Sequence, residues 1–270
     1  MRLHVTGATG YLGSELVRLR PDATTERVEV RDAAAVSRLL ERLRPDVVIH
    51  TAYRQDEDDV NTVGSENVAR AAAAVGARLV HLSTDVVFAG DAGRPYVEAD
   101  PPRPVTDYGR AKAAAEAAVR LAHPGAAIVR TSLIYGGPSP SPHERSVLAA
   151  IEDASGMAFF TDEIRCPVHV SDLADALLEL AVLRYAGPLH VAGCDAVSRH
   201  EFARLVAAAG GRDPDLVRGA RSADLPEPRP LDCRLDCTRA GALLSTRLRG
   251  VREVLQGPSR STTQPPSALV

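Results

Sequence analysis

A tyrosine and a lysine stand four apart in Tyr108-Gly109-Arg110-Ala111-Lys112, at what reads as the start of a helix. That spacing puts both side chains on one helix face. A phenol with an ordinary pKa of about 10 carries protons poorly at neutral pH unless a neighbouring cation stabilises its anion. Lys112 is placed to be that cation. Composition sharpens the pairing: the chain has 32 basic residues and every one except Lys112 is an arginine. A chain that accepts arginine everywhere else keeps one compact ammonium here, and the two are not interchangeable where a point charge on a slim stem is needed. With 6 tyrosines in 270 residues, a lysine placed at random would fall four residues after one of them only about 2% of the time. The bland alternative is a solvated helix lysine.

A second group is Gly7-Ala8-Thr9-Gly10-Tyr11-Leu12-Gly13, between an apolar run and a helical stretch near the chain start. Glycines there permit a tight turn and close approach of backbone to a pyrophosphate, and the helix N-terminus offers free amides and the positive end of its dipole. The pattern predicts dinucleotide binding through Gly7, Thr9, Gly10, Tyr11, Leu12 and Gly13. The alternative is a turn that only packs helix on strand. A third group, Ser83-Thr84-Asp85-Val86-Val87-Phe88-Ala89-Gly90, follows the apolar run Leu79 to Leu82. It puts hydroxyls at the carboxyl end of a strand, where ligands of open α/β sheets bind. Thr84 could hydrogen-bond a substrate carbonyl and share its developing charge with Tyr108; Ser83 is assigned to the cofactor.

The elements that must position these groups alternate. Leu3–Thr6, Val47–His50, Leu79–Leu82 and Ala127–Arg130 read as strands. Tyr11–Leu19, Val36–Leu43, Asn61–Val75 and Tyr108–Leu121 read as helices. This is the pattern of a Rossmann-like, doubly wound parallel α/β sheet. One element is thin: only Arg27–Val30 has room to be the second strand, whose end normally reads the adenosine ribose. Arg18, Arg20, Arg27 and Arg31 could pair with a 2′-phosphate, while Glu29, beside Val30, could accept from a ribose hydroxyl. The arginine density favours NADP(H) over NAD(H).

After Tyr135 the regularity changes. Gly136 to Pro142 reads as a loop that breaks all secondary structure. Beyond it come a helix near Val147–Asp153, an apolar segment Met157–Phe160, a helix near Ser171–Leu183, a strand Leu189–Val191 and a helix near Ser198–Ala209. These divide the chain into a dinucleotide-binding domain, 1–136 with parts of 157–192, and a small C-terminal α/β substrate-binding cap, 137–156 and 193–256. The Ser-, Thr- and Pro-rich end, 257–270, is expected to be disordered.

On these residues the chain resembles the extended short-chain dehydrogenase/reductase superfamily and, more narrowly, the dTDP-4-dehydrorhamnose reductase family, over roughly Met1 to Leu255. The likeness rests on Gly7 to Gly13, Ser83 to Gly90 and Tyr108-x-x-x-Lys112. Arg130-Thr131-Ser132-x-x-Tyr135-Gly136, Asp172-Leu173-Ala174 and Arg229-Pro230…Arg234-Leu235-Asp236 support it more weakly. The resemblance implies that Tyr108 protonates a ketone, with Lys112 its partner and a contact to the nicotinamide ribose, and Thr84 completing the triad. It places Thr51-Ala52-Tyr53 along the cofactor and Asp85 near the substrate. It also puts Arg165 in a loop over the active-site mouth, as a candidate for a substrate phosphate or carboxylate, against an ion pair with Asp162 or Glu163. The family has a tyrosine where Val86 stands and a tryptophan where Leu133 stands. Its Asn-containing segment is replaced by Ser139 to Pro142. Ketone reduction survives these changes, but recognition of dTDP-4-dehydrorhamnose itself does not follow from them.

The expected substrate is thus a 4-keto-6-deoxysugar nucleotide. The alternatives are a non-sugar ketone or imine of specialised metabolism, or a non-catalytic role as a dinucleotide-binding regulatory subunit. A formal net charge of −3 argues against a nucleic-acid partner. No run of about 20 apolar residues suggests a membrane span, and the start turns polar too early for a signal peptide, so a cytoplasmic location is expected. A homodimer is possible. Cys166, Cys194, Cys233 and Cys237 show no disulfide or zinc spacing, so no metal is expected. His50, His81 and His190 lie on apolar strands and read as structural.

Overall fold

Two short runs, β2 (Val47–His50) and β4 (Ala127–Thr131), are buried at every position, as strands of a parallel sheet covered on both faces must be. In the computed structural model, which describes residues 1–54, 57–152 and 157–257, they lie in a five-stranded sheet. Its order is β1 (Leu3–Thr6), β2, β3 (Arg78–Thr84), β4, β9 (Gly187–His190), with every neighbouring pair parallel. Alternation along each strand splits the core. Val47, Ile49, Val80 and Val129 pack under α1 (Tyr11–Leu19) and α7 (Val170–Val182). Val48, Leu79 and Ile128 pack under α2 (Ala33–Leu43), α4 (Val63–Ala74) and α5 (Asp107–Ala122). A short turn, α3 (Asp58–Asn61), precedes α4, so the helix expected over Asn61–Val75 is interrupted at Thr62.

The second strand expected at Arg27–Val30 does not form. What remains of it is an isolated parallel bridge between His4 and Thr24, with Thr24 N donating to Leu3 O (2.9 Å) and Val5 N to Thr24 O (3.0 Å). The reason is visible in the residues: Glu26, Arg27, Glu29 and Arg31 crowd charge onto a segment that has only Val28 and Val30 to bury. Val30 anchors it in the α2/α4 core. Asn67 Nδ2 donates to Val30 O (3.0 Å) and Arg31 O (3.1 Å) in place of a ladder.

The loop expected through Pro142 ends one residue early. Pro142 opens α6 (Pro142–Glu152), suiting a first helical position that needs no amide donor. Glu144 N donates to Ser141 Oγ (3.1 Å) and Ser141 N to Glu144 Oε2 (2.7 Å), which is a capping box. Short pairs lie outside the five-stranded sheet: β5 (Ile134–Tyr135) with β8 (Val168–His169), β6 (Phe159–Phe160) with β11 (Gly219–Ala220), and β7 (Ile164–Arg165) with β10 (Val197–Ser198). With α6 and α8 (Arg199–Ala209) they enclose Tyr135, Val147, Phe159, Phe202 and Val206. Two short helices, α9 (Thr238–Leu243) and α10 (Val251–Gln256), complete the chain. Asp153, the expected end of α6, and the tail from 258 lie outside the described residues. Among the described residues no helix is long and apolar enough to cross a membrane.

Candidate active site

The glycines of the first loop are required by contact. Gly7 has φ +72°, and a Cβ there would lie 2.6 Å from Ala52 N. A Cβ on Gly13 would lie 2.1 Å from Gly7 O. Gly10 N closes the turn onto Gly7 O at 2.9 Å. Gly10 caps α1 without a side chain, so the first-turn amides of Tyr11, Leu12 and Gly13 have no acceptor within the helix. They face a cleft of about 1190 Å³, which Thr9 also lines. The Tyr11 hydroxyl donates to Gly136 O, tying this cradle to the chain after β5.

The same cleft reaches Thr51, Ala52, Tyr53, Ser83, Thr84, Asp85, Val86, Tyr108, Lys112 and Leu133. Thr106 Oγ1 accepts from Gly109 N (3.1 Å) and starts α5 one residue before Tyr108. Gly109 passes under β3's end, where a Cβ would meet Val86 O at 2.4 Å. Lys112 is buried, and its Nζ donates to Leu82 O at 2.7 Å. Burial pulls its ammonium down to about 8, against the pull of the Glu116 carboxylate. Tyr108 is half-buried and lies beside Tyr53, whose ring centre is 6.3 Å away. Burial, with Tyr53 and Asp85 nearby, pushes the phenol above its usual value. Lys112 was expected to lower the phenol. The lysine ammonium is directed at a backbone carbonyl, and burial sets the direction in which the phenol moves.

Thr84 Oγ1 accepts from Val86 N (3.4 Å) and donates to Asp85 Oδ1 (3.2 Å). Asp85 is buried; Ser132 Oγ donates to it at 2.6 Å, and Arg165 Nε lies 3.9 Å away as an ion-pair partner. Burial raises its carboxyl above the usual range, with Arg165 opposing. The Ser83 hydroxyl does not serve the cleft: it donates to Glu116 Oε1 at 2.6 Å on the α5 side of the sheet. Thr51 Oγ1 is likewise committed to Thr6 O, at 2.7 Å.

At the end of the cleft beside residues 25–31 the four candidate arginines separate. Arg18 pairs with Glu15 and Arg20 with Asp22, and neither borders the cleft. Arg27 and Arg31 do, together with Glu29 and Val30. Arg31 holds Glu29 through two bonds of 2.8 and 3.0 Å, pulling that carboxylate down to about 2.

At the opposite end Arg165 lines the cleft and also makes the ion pair with Glu163 that was the alternative to an anion contact. It is 2% exposed and donates to Ile164 O, Leu231 O and Pro230 O, with Glu163 Oε2 at 3.4 Å. Two arginines that sequence reasoning did not select line the cleft beside it. Arg199 Nε lies 3.7 Å from Glu163 Oε2, and Arg229 Nε bonds Glu163 Oε1 while its guanidinium lies 4.9 Å above the Phe160 ring. Both line the cleft, as does His143 from α6. Burial lowers the His143 imidazole to about 4, so it is neutral. Arg229 sits in the Arg-Pro pair of the resemblance, which was its one signal; Arg199 heads a helix with no motif around it.

The family model described as the RmlD substrate binding domain matches residues 1–260. The chain belongs to that family. It is thereby an oxidoreductase of the extended short-chain dehydrogenase/reductase type. It is 38% identical over 251 residues to a dTDP-4-dehydrorhamnose reductase of Mycobacterium tuberculosis, covering 85% of this chain and 82% of the relative. It is also 30% identical over 279 residues to the methionine adenosyltransferase 2 subunit beta of Rattus norvegicus, covering 90% and 82%. Among solved structures, a dTDP-4-dehydrorhamnose reductase of Bacillus anthracis in complex with NADP superposes with a TM-score of 0.84 at 27% identity, covering 94% of this chain and 97% of that one.

Proposed function

We propose that the protein reduces a ketone on a 4-keto-6-deoxysugar nucleotide, using NADP(H) in preference to NAD(H). The observation that carries this reading is that Thr84, Tyr108 and Lys112 meet in the same cleft as the Gly7–Gly13 cradle. The cradle fits a dinucleotide, since its close backbone contacts leave no room for side chains and its helix amides are open. A bound reduced nicotinamide supplies the hydride to the carbonyl carbon. Tyr108, neutral across the physiological range, gives its hydroxyl proton to the carbonyl oxygen, while the Thr84 hydroxyl hydrogen-bonds that oxygen. Lys112 brings a positive charge beneath the phenol, and its ammonium is within the lining that the nicotinamide ribose would occupy.

For the cofactor, Arg27 and Arg31 are the cleft arginines at the adenosine end, and Arg31 already neutralises Glu29, the carboxylate that would repel a 2′-phosphate. Arg27→Ala and Arg31→Ala are each expected to weaken NADPH binding about tenfold and leave NADH binding nearly unchanged, as read by fluorescence titration. Equal losses for both cofactors would remove the preference.

For the substrate, three arginines around Glu163, with Asp85 the other carboxylate paired to them, leave an excess of positive charge suited to a diphosphate. Arg199→Gln is expected to raise KM for a keto-sugar nucleotide about tenfold with kcat little changed. An unaltered KM would point to the non-sugar ketone or imine. The deciding assay follows NADPH oxidation against keto-sugar nucleotides and small ketones. The similarity to the methionine adenosyltransferase subunit favours a second reading as a regulatory subunit, which cofactor binding without turnover of any ketone would support.

A further inference from the structure

Tyr108, Lys112 and Glu116 recur every four residues along α5, so they share one face of the helix. Glu116 is completely buried, and its carboxylate is clamped. Arg130, on β4, donates to it at 2.7, 3.0 and 3.2 Å, and Ser83, on β3, at 2.6 Å. Arg130 is itself buried, with its guanidinium 5.0 Å from the centre of the Phe88 ring and Nη1 directed at Glu98 O. A charged pair this deep is costly to desolvate and is retained only with excellent geometry. Neither Arg130 nor Glu116 borders the cleft, so a direct contact with substrate or cofactor is not their role.

We propose that Glu116, clamped by Arg130 and Ser83, is a positioning residue: its fixed charge one turn along α5 keeps Lys112 an ammonium and holds it against Leu82 O, facing the cleft. The inference rests on the reading of Tyr108 and Lys112 as the proton-handling pair. Because both Glu116 oxygens are occupied by Arg130 and Ser83, the carboxylate acts on Lys112 through space, in surroundings where charge is weakly screened. The other groups facing Lys112 do not supply a negative charge. His81 and Ser83 face it from β3, His50 from β2, Arg130 from β4 and Tyr108 from its own helix. The two imidazoles are stacked at 5.4 Å and buried neutral, His50 driven down to about 3.

The lone lysine makes the test direct. Protein grown with ε-13C-labelled lysine gives one side-chain Cε resonance, whose shift with pH reports the Lys112 ammonium whether or not a substrate is known. The wild type is expected to titrate near pH 8. In Glu116→Gln the midpoint falls by about one unit or more, and the alkaline limb of kcat/KM moves to lower pH by the same amount. Glu116→Asp restores most of both. Should Glu116→Gln fail to fold, the double variant E116Q/R130M removes the whole buried pair, a change such sites tolerate, and a fall in the midpoint is still expected. A midpoint unchanged in a folded variant overturns the inference and leaves the pair purely structural. A midpoint that falls in a protein with no reductase turnover overturns the functional reading instead.

Discussion

Tyr108→Phe removes one oxygen and is expected to lower kcat for ketone reduction by about 10²–10⁴-fold, while the dissociation constant for NADPH stays close to that of the wild type. The separation follows from the architecture. The dinucleotide cradle is built from Gly7, Gly10, Gly13 and the α1 amides, none of which depends on the phenol. The phenol is half-buried beside Tyr53, and the substituted ring keeps that packing. Steady-state kinetics beside a fluorescence titration checks both halves. Turnover that survives the substitution would remove Tyr108 as the proton donor. A large loss of NADPH affinity would make it a binding residue.

Lys112→Met is expected to abolish turnover and to stabilise the fold. Holding an ammonium whose ordinary value is 10.5 at about 8 costs up to about 3 kcal/mol near neutral pH, and the bond to Leu82 O returns about 1 kcal/mol. A buried thioether of similar length removes the penalty. The net gain is about 1–2 kcal/mol, a rise in Tm of about 2–6 °C. The pH dependence has a definite sign. Between about pH 8 and 10.5 the unfolded chain binds a proton at Lys112 that the folded chain has released, so wild-type stability rises with pH across that window. The advantage of the variant is therefore fully present below about pH 8 and disappears towards pH 10.5. Denaturant melts at pH 7 and pH 10 measure it. A variant that is less stable at pH 7 would mean that the lysine is not held against its ionisation.

Which parts of this site could be read from the chain depended on how local their signals are. The glycine loop, Thr84 and the Tyr108–Lys112 pair each sit in a contiguous stretch at the end of an apolar run, and the strands of the sheet are apolar runs themselves. The segment at Arg27–Val30 misled because one buried and one half-buried valine look like a strand until a neighbour is needed to complete its ladder. Gly136–Pro142 misled differently. Its prolines hid a capping box in Ser141 and Glu144 that makes the last of them a helix start. Arg165 borders the cleft and makes the ion pair with Glu163 that was its alternative, but the carbonyls of Pro230 and Leu231 that hold its guanidinium arrive from a distant part of the chain and have no local signal. Arg199 and Arg229 converge on Glu163 only through the folded cap, so no spacing announced them.

The irregular segment that replaces the second strand has a bearing on how this protein can change. Residues 25–31 border one end of the cleft, yet this stretch joins the sheet only at Thr24 and is otherwise held by Val30 in the α2/α4 core and by Asn67 of α4 on its carbonyls. Exchanging Arg27, Glu29 or Arg31 breaks no ladder and empties no core position, since all three side chains are exposed. If these residues read the cofactor as proposed, cofactor choice is uncoupled from foldability. A lineage, or a designer, can cross from one dinucleotide to the other by single steps that leave the scaffold intact. The same freedom does not extend to Gly7 or Gly13, whose surroundings leave no room for a side chain.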